Sequence, residues 1–253
     1  MLCFDSMRLV RPSASFNHLT VLCRRASSAV DLNVSSSLER QDASLLWAPG
    51  AASKGSDEQR FDRLAGKIGV QCRDLRGHSV IGARGEAALA NALRGLARAS
   101  ELGKSPVEFR ARWHEDPGDE RSIRFYAEIC ETWTDFKKRW AALKETPRAF
   151  QVTPHTSVHK LATAVVTNQR KIGGAALKLN YKNDTVMATA GKVLATLPHL
   201  TQHEDLGCGL VCVIRWPMIA TPEASKFVYA HVFWRKLEKL SEQHAEGSVA
   251  QEQ

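Results

Sequence analysis

Four side chains near residue 200 have the types of a zinc site but not its spacing. They are His199, His203, Cys208 and Cys212. Cys208 and Cys212 fall at positions of equal parity in an apolar strand, where cysteines usually pack in the core. The set also lacks the ligand spacing of a zinc finger. We therefore predict that the chain holds no metal.

Other patterns that mark catalytic centres are missing from the sequence as well. His155 and His159 follow a proline that leaves their helical register undefined, and no motif places a third residue to orient a Cys–His pair. The glycines within residues 82–85 and 173–174 form neither a dinucleotide fingerprint nor a phosphate-binding loop. We expect no enzymatic activity and no cofactor.

Composition favours the binding of an anion. The 253 residues carry a net charge of +8 and give a pI near 9.3, so nucleic acid is the first candidate partner. Residues 1–26 contain four arginines and one acidic residue, and the rest of the chain is only moderately basic. The six cysteines form no CxxC pair, which indicates a reducing compartment. No apolar run approaches the length of about 18 residues that a membrane span needs.

The termini are predicted to lie outside the folded core. Residues 1–26 are rich in arginine and serine and poor in acids, as in a mitochondrial presequence that leads to the matrix. The alternative is a disordered basic tail on a cytosolic protein. Residues 27–56 are small and polar and are predicted to be a flexible linker or arm. Residues 245–253 are predicted to be a disordered tail.

An internal repeat predicts the architecture between these segments. Arg112-Trp113 is followed by Tyr126-Ala127, and Arg215-Trp216 is followed at the same spacing by Tyr229-Ala230, with all four positions offset by 103 residues. Each copy combines an Ala- and Leu-rich helix with a hairpin. Such a repeat indicates two copies of one α+β unit. The copies are placed at 57–148, which ends in an amphipathic helix, and at 149–244.

The second copy has the clearer succession of elements. Strand and helix signals predict a βαβαββ order with two helices on one face of a sheet, that is, a two-layer sandwich. In the first copy the strand His78–Ala83, the helix Gly85–Ala99 and the hairpin Val107–Cys130 are evident. Its first βα half is not: 61–64 reads as a helical remnant and 67–73 as a strand.

This order and several short motifs resemble the Alba superfamily, including the branch of stage V sporulation protein S. Val80–Ala87 resembles the segment of that family in which an Ala-Arg-Gly turn precedes an Ala-rich helix. Val152 and Ser157–Ala164 resemble its first strand and first helix. In place of the Arg-Gly turn, the second copy has Lys182-Asn183-Asp184. The resemblance implies tandem Alba-like domains, the first lacking a clear first βα half.

The resemblance also implies nucleic-acid binding by basic residues near the first loop, the strand-to-helix turn and the hairpin. The candidates at these places are Arg84, Arg110, Arg112, His159, Lys160, Lys178, Lys182 and Arg215. An ion pair to Glu86 is the alternative role for Arg84, and ordinary solvated faces are the alternative for the rest. Trp113 and Trp216 could stack on bases, but a repeated tryptophan more often packs in the core.

The sequence therefore predicts a mitochondrial RNA-binding subunit of a ribonucleoprotein in RNA processing, RNA stability or ribosome assembly. DNA is the alternative nucleic-acid ligand. The two copies are expected to pair either with each other, as an internal pseudo-dimer, or with other chains in a hetero-oligomer. The alternative function is a non-catalytic structural adaptor that binds proteins only. No membrane association is expected.

Overall fold

Both copies of the repeat fold into the same succession of elements in the computed structural model. The first contains β1 (Leu46–Trp47), α1 (Asp57–Val70), β2 (His78–Ala83), α2 (Gly85–Leu102), β3 (Val107–Asp116) and β4 (Glu120–Ile129). α3 (Trp133–Ala141) follows. The second contains β5 (Ala149–Gln151), α4 (Val158–Ile172), β6 (Gly174–Asn180), α5 (Asp184–Leu200), β7 (Cys208–Arg215) and β8 (Phe227–Lys236).

The structure describes residues 45–51, 57–75, 77–116, 120–129, 131–147, 149–201, 208–216 and 226–236. They belong to one unit, Leu45–Gln253. The predicted presequence (1–26), most of the predicted linker (27–56) and the predicted tail (245–253) lie outside the described residues.

Local sequence signals explain where several helices begin and end. The Asn183 side chain accepts a hydrogen bond of 3.0 Å from the backbone N–H of Val186, which caps α5 as its Asn-Asp start predicts. The Thr132 hydroxyl caps α3 in the same way. Gly173 ends α4 with a φ of 87°, a left-handed conformation that glycine adopts without steric cost.

The eight strands form one mixed sheet in the order β1-β2-β4-β3-β7-β8-β6-β5. β1 and β2 are parallel, as are β5 and β6, and the other neighbours are antiparallel. The copies meet at β3 and β7, where Phe109 lies opposite Cys212. These two residues are separated by the same 103-residue offset as the repeat. The copies are therefore related by a pseudo-two-fold axis, and the sheet is continuous across it.

Helices cover the two faces of this sheet unequally. On β7, Leu210, Cys212 and Ile214 belong to the main core, beneath a helical layer of α1, α2, α4 and α5. Val211 and Val213, which alternate with them, pack on the other face against Phe136 of α3. The expected α+β sandwich is thus present with its helices on one face, and α3 adds a third layer locally. We call the face that bears α3 the open face.

Contacts between α2 and α5 join the two copies on the helical side. Arg94 is buried, donates to the backbone oxygen of Tyr181 at 2.7 Å and forms an ion pair with Asp184 at 2.7 Å. A Cβ on Gly191 would lie 3.7 Å from the Leu89 side chain, in ordinary van der Waals contact, so α5 packs against α2 there. The copies therefore share both a sheet and a core.

The prediction that the first copy lacks a clear first βα half is wrong. β1 pairs in parallel with β2, placing Trp47 beside Gly82, and α1 follows it. Gly82 makes room for this strand, since a Cβ there would lie 3.0 Å from the Trp47 ring. The segment 67–73, read as a strand, continues α1 into a π-helical segment, Gln71–Leu75. Part of the predicted linker is thus β1, a strand too short to show a period.

Candidate nucleic-acid interface

A group of arginines lies on the open face of β3 and β4. Phe109 and Phe125 point into the main core, so their neighbours on each strand point away from the helical layer. In the strand register Arg110 lies opposite Tyr126 and Arg112 lies opposite Arg124. We call Arg110, Arg112, Arg124 and Tyr126 the arginine surface.

The charges on the arginine surface are only partly compensated. Arg124 forms an ion pair with Asp116 at 3.2 Å, and Arg110 lies 3.9 Å from Glu128. Arg112 is exposed and has no ion pair within the described part of the chain. Like charges directly opposite each other on neighbouring strands destabilise a sheet. Asp116 offsets the charge of Arg124, so Arg112 is the member of the pair whose charge no ion pair offsets among the described residues.

Asp116 organises one end of the arginine surface. Its side chain is 3% exposed, and its carboxylate lies 3.0 Å from Arg84 and 3.3 Å from His114. The Ser122 hydroxyl and the guanidinium groups of Arg84 and Arg124 hold the pKa of Asp116 far below its usual value despite its burial. The carboxylate is therefore charged at all physiological pH values and fixes these cations in place.

Arg84 has a different partner from the one considered in the sequence. It pairs with Asp116, and Glu86 instead accepts a hydrogen bond of 2.5 Å from Thr185 of the other copy. The Arg84 guanidinium also lies 5.1 Å from the centre of the Trp47 ring. Its side chain stays 42% exposed, so Arg84 borders the arginine surface as an anchored cation.

The second copy carries a counterpart of this surface that α3 partly covers. Arg215 lies opposite Tyr229, which in turn lies opposite Lys178. Arg215 is half-buried, its Nε donates to Nε2 of His231 at 2.9 Å, and the Phe136 ring of α3 lies 6.0 Å away. We call Arg215, Tyr229 and Lys178 the covered surface.

Burial changes the protonation equilibria beneath α3. Burial lowers the pKa of Arg215. Burial and the nearby Arg215 lower the pKa of His231 to about 3. His231 is therefore a neutral acceptor at neutral pH, and the Nε–H of Arg215 donates to it. At the rim, the Lys178 ammonium lies 4.2 Å above the Phe227 ring.

The remaining predicted residues lie at the helical layer of the second copy. His159 and Lys160 are exposed in the first turn of α4, and Lys182 is exposed just before α5, 5.9 Å from the Tyr181 ring. These three residues lie at the end of the sheet where β6 ends, whereas Arg84 lies where the equivalent strand β2 ends. Because the copies meet through the antiparallel strands β3 and β7, these are opposite ends of the sheet. The eight predicted residues therefore do not form one surface.

The two tryptophans considered for base stacking lie on the helical side instead. Trp113 packs against the main core, and Trp216 meets Tyr181 edge-on at 4.6 Å. Tyr126 and Arg124, outside the predicted site, are on the open face. Strand parity could have found both, because each is opposite a predicted arginine.

α3 is held to the sheet by charge as well as by its aromatic residues. Glu108, only 1% exposed, pairs with Arg139 of α3 at 2.7 Å and with Arg235 of β8 at 2.8 Å. Glu131 also pairs with Arg139. Burial raises the pKa of Glu131 to about 7, against the opposing effect of Arg139. We call Glu108, Glu131, Arg139 and Arg235 the α3 clamp.

The described cysteines lack the properties of nucleophiles. Burial raises the pKa of the Cys72 thiol to about 11 and also raises that of Cys212, which packs in the main core. Both are therefore protonated near neutral pH. Within the described residues no group of three or more metal-ligating side chains converges. His203 lies outside them.

Comparison with protein-family models, with curated proteins and with solved structures gives no match to this chain. The resemblance to the Alba superfamily therefore stays a prediction from short motifs. Among the helices that the structure describes, none is long and apolar enough to cross a membrane.

Proposed function

We propose that this chain binds single-stranded RNA through the arginine surface. The observation that carries the proposal is the placement of Arg112 opposite Arg124, on an open sheet face, without a carboxylate for Arg112 among the described residues. A phosphate held by Arg112 and the neighbouring Arg124 would supply the negative charge that Arg112 lacks.

The neighbouring side chains support the same ligand. Tyr126 lies next to these arginines on the open face, and aromatic rings on a basic surface stack on bases at roughly 1–3 kcal/mol each. Asp116 fixes Arg84 and Arg124 before the ligand arrives, which reduces the entropy lost on binding. Phosphate contacts supply affinity, and Tyr126 supplies a preference for unpaired bases.

The amino-acid composition supports the proposed place of the protein in a mitochondrial complex. The moderate charge outside residues 1–26 supports a subunit that shares its RNA with partner proteins in a mitochondrial ribonucleoprotein. RNA processing, RNA stability and ribosome assembly are the functions that such a subunit serves. The presequence lies outside the described residues. Deletion of residues 1–26 should move a fluorescent fusion from mitochondria to the cytosol, and unchanged localisation would contradict the matrix proposal.

The RNA proposal is tested by the salt dependence of binding. We would measure fluorescence anisotropy of a labelled single-stranded RNA with the whole chain at several salt concentrations. The slope of log affinity against log salt should fall in magnitude by about 0.7 for Arg112→Ala, since one phosphate contact is lost. Arg112→Lys should keep most of the slope because it keeps the charge.

The matched control is Arg63→Ala, which removes an exposed arginine from α1 on the helical side. It should leave both affinity and slope unchanged. If Arg112→Ala and Arg63→Ala behave alike, or if binding is weak and independent of salt, the arginine surface does not bind RNA. That result would favour the adaptor that binds proteins only. Equal competition by single-stranded DNA would remove the preference for RNA.

A further inference from the structure

A cleft separates the carboxyl ends of α2 and β7 from α3. Its volume is about 400 Å³, within the range of small-molecule sites. Trp133 and Trp216 contribute indole rings to its walls, and Lys104, Lys137 and Arg215 contribute positive charge. It is distinct from the arginine surface, which lies on β3 and β4. We call it the tryptophan cleft.

The charges in the tryptophan cleft are not balanced. Glu101 is its acidic lining residue, and the Glu101 carboxylate already accepts a hydrogen bond of 2.6 Å from Arg98. No ion pair engages Lys104, Lys137 or Arg215 within the described residues. Arg215 is half-buried with neutral His231 as its hydrogen-bond partner. Lys104 and Lys137 are exposed, and Arg215 is the partly buried cation of the three. A cation withdrawn from water is normally paired with an anion, which a ligand in the cleft could provide for Arg215.

The backbone at Lys104 gives a second, independent observation. Its φ is 51°, and among the described residues Lys104 is the one residue other than glycine with a positive φ. The position follows the end of α2, where glycine is the usual residue in this conformation. The neighbouring Gly103 adopts a right-handed conformation instead, so the lysine takes the strained place. Strained residues of this kind concentrate at binding sites.

We infer that the tryptophan cleft binds one nucleotide, with its phosphate among the three cations and its base against an indole ring. The inference rests on the proposed RNA binding and extends it to a second site that accepts a single unstacked nucleotide. An aromatic wall beside a cationic one suits a ligand that is aromatic and anionic at once. Trp133 and Lys137 are one helical turn apart on α3 and present both chemistries from one element.

The probe is adenosine 5′-monophosphate, titrated calorimetrically into the whole chain at physiological ionic strength. We expect saturable binding with one site per chain. Arg215→Gln should weaken it by about tenfold or more, because a charge-assisted contact is lost. Lys67→Ala, which removes an exposed lysine from the last turn of α1, is the matched control and should bind like the wild type.

Lys104→Gly separates binding from folding. Glycine adopts a positive φ without strain, so this variant should unfold at an equal or higher urea concentration than the wild type while binding the nucleotide several-fold more weakly. Affinity unchanged in both Lys104→Gly and Arg215→Gln would overturn the inference. So would adenosine or inorganic phosphate binding as tightly as the nucleotide, because the cleft would then not use both of its walls.

Failure of this inference and failure of the proposed RNA function give different results. No nucleotide binding, together with RNA binding that depends on salt and on Arg112, removes the tryptophan cleft alone. Nucleotide binding together with RNA binding that is independent of salt removes the arginine surface alone and leaves a nucleotide site.

Discussion

The arginine surface and the covered surface begin from the same sequence pattern and end in different environments. Arg112 and Arg215 are equivalent in the repeat. Each has a tyrosine on the neighbouring strand of its hairpin, on the same face of the sheet: Tyr126 for Arg112 and Tyr229 for Arg215. Arg112 is exposed, whereas α3 half-buries Arg215. The short helix α3 therefore leaves Arg112 accessible and covers part of the equivalent face near Arg215. Equivalent residues of a repeat thus need not be equally accessible.

The largest expected effect is on stability, and it comes from Phe136, through which α3 packs on the sheet. Phe136 is 2% exposed and packs against Val211, Val213 and Phe233. Phe136→Ala should lower the free energy of unfolding by about 3 kcal/mol, the loss that large-to-small core changes cause. Tyr126→Ala, in the uncovered copy, should lower it by less than about 1 kcal/mol. Urea denaturation measures both, and equal losses would remove the contrast between the two surfaces.

The next effect concerns the α3 clamp. Glu108→Gln removes the buried negative charge between Arg139 and Arg235, so each of these cations loses one of its acidic partners. We expect a loss of about 2–3 kcal/mol in the free energy of unfolding, also by urea denaturation. Glu128→Gln is the control, since Glu128 is 39% exposed and its loss should have little effect. If Glu108→Gln is as stable as the wild type, charge does not hold α3.

A smaller effect appears in the pH dependence. The pKa of Glu131 is raised in the folded protein to about 7, above its unfolded value, so its contribution weakens the fold as pH rises from about 4.5 to 7. The pKa of His231 is lowered to about 3, so its contribution weakens the fold as pH falls below about 6.5. The two contributions oppose each other beneath α3.

Glu131→Gln removes the contribution of Glu131 to the pH dependence of stability and keeps that of His231. The variant should therefore lose more stability than the wild type on acidification from about pH 6.5 to 4.5, because the contribution of His231 is no longer offset. Asp116, at the arginine surface, has a lowered pKa, and its contribution is lost only below about pH 4. Thermal unfolding across this pH range provides the measurement. Parallel pH profiles for variant and wild type would show that Glu131 is not protonated in the folded protein.

The smallest effect concerns β1, the edge strand of the first copy, whose counterpart in the second copy is β5. Gly82→Ala places a Cβ within 3.0 Å of the Trp47 ring and should displace it. We expect a loss of about 1 kcal/mol, since the strand is short and lies at the sheet edge. A shift in tryptophan emission with this small loss would support the first βα half. The double variant Gly82→Ala, Trp47→Ala should not show that shift relative to Trp47→Ala. An unchanged emission spectrum in Gly82→Ala alone would contradict the packing of Trp47 on Gly82.

Much of the fold was predictable from local signals. Asn183 and Gly173 mark the start of α5 and the end of α4, and the repeated Arg-Trp and Tyr-Ala pairs mark the hairpins. Pro198 lies inside the last turn of α5, which continues to Leu200.

The rest depends on contacts distant in sequence. Two-residue β1 is too short for a periodic signal, and its place is set by Gly82 on another strand. Strand parity showed that Arg110 and Arg112 share a face. It could not show that α3 covers the equivalent face near Arg215, because a helix chooses its docking site by shape and charge together. The sequence therefore indicated the residue types of the candidate site but not which of them the fold brings together.

The junction of β3 with β7 gives the molecule a property that an assembly of separate copies would lack. A homodimer must present the same side chains on both halves, and dilution separates it. Here both halves belong to one chain, so their local concentration is fixed by the covalent connection. Each half is free to change without its twin, and dilution does not separate the two.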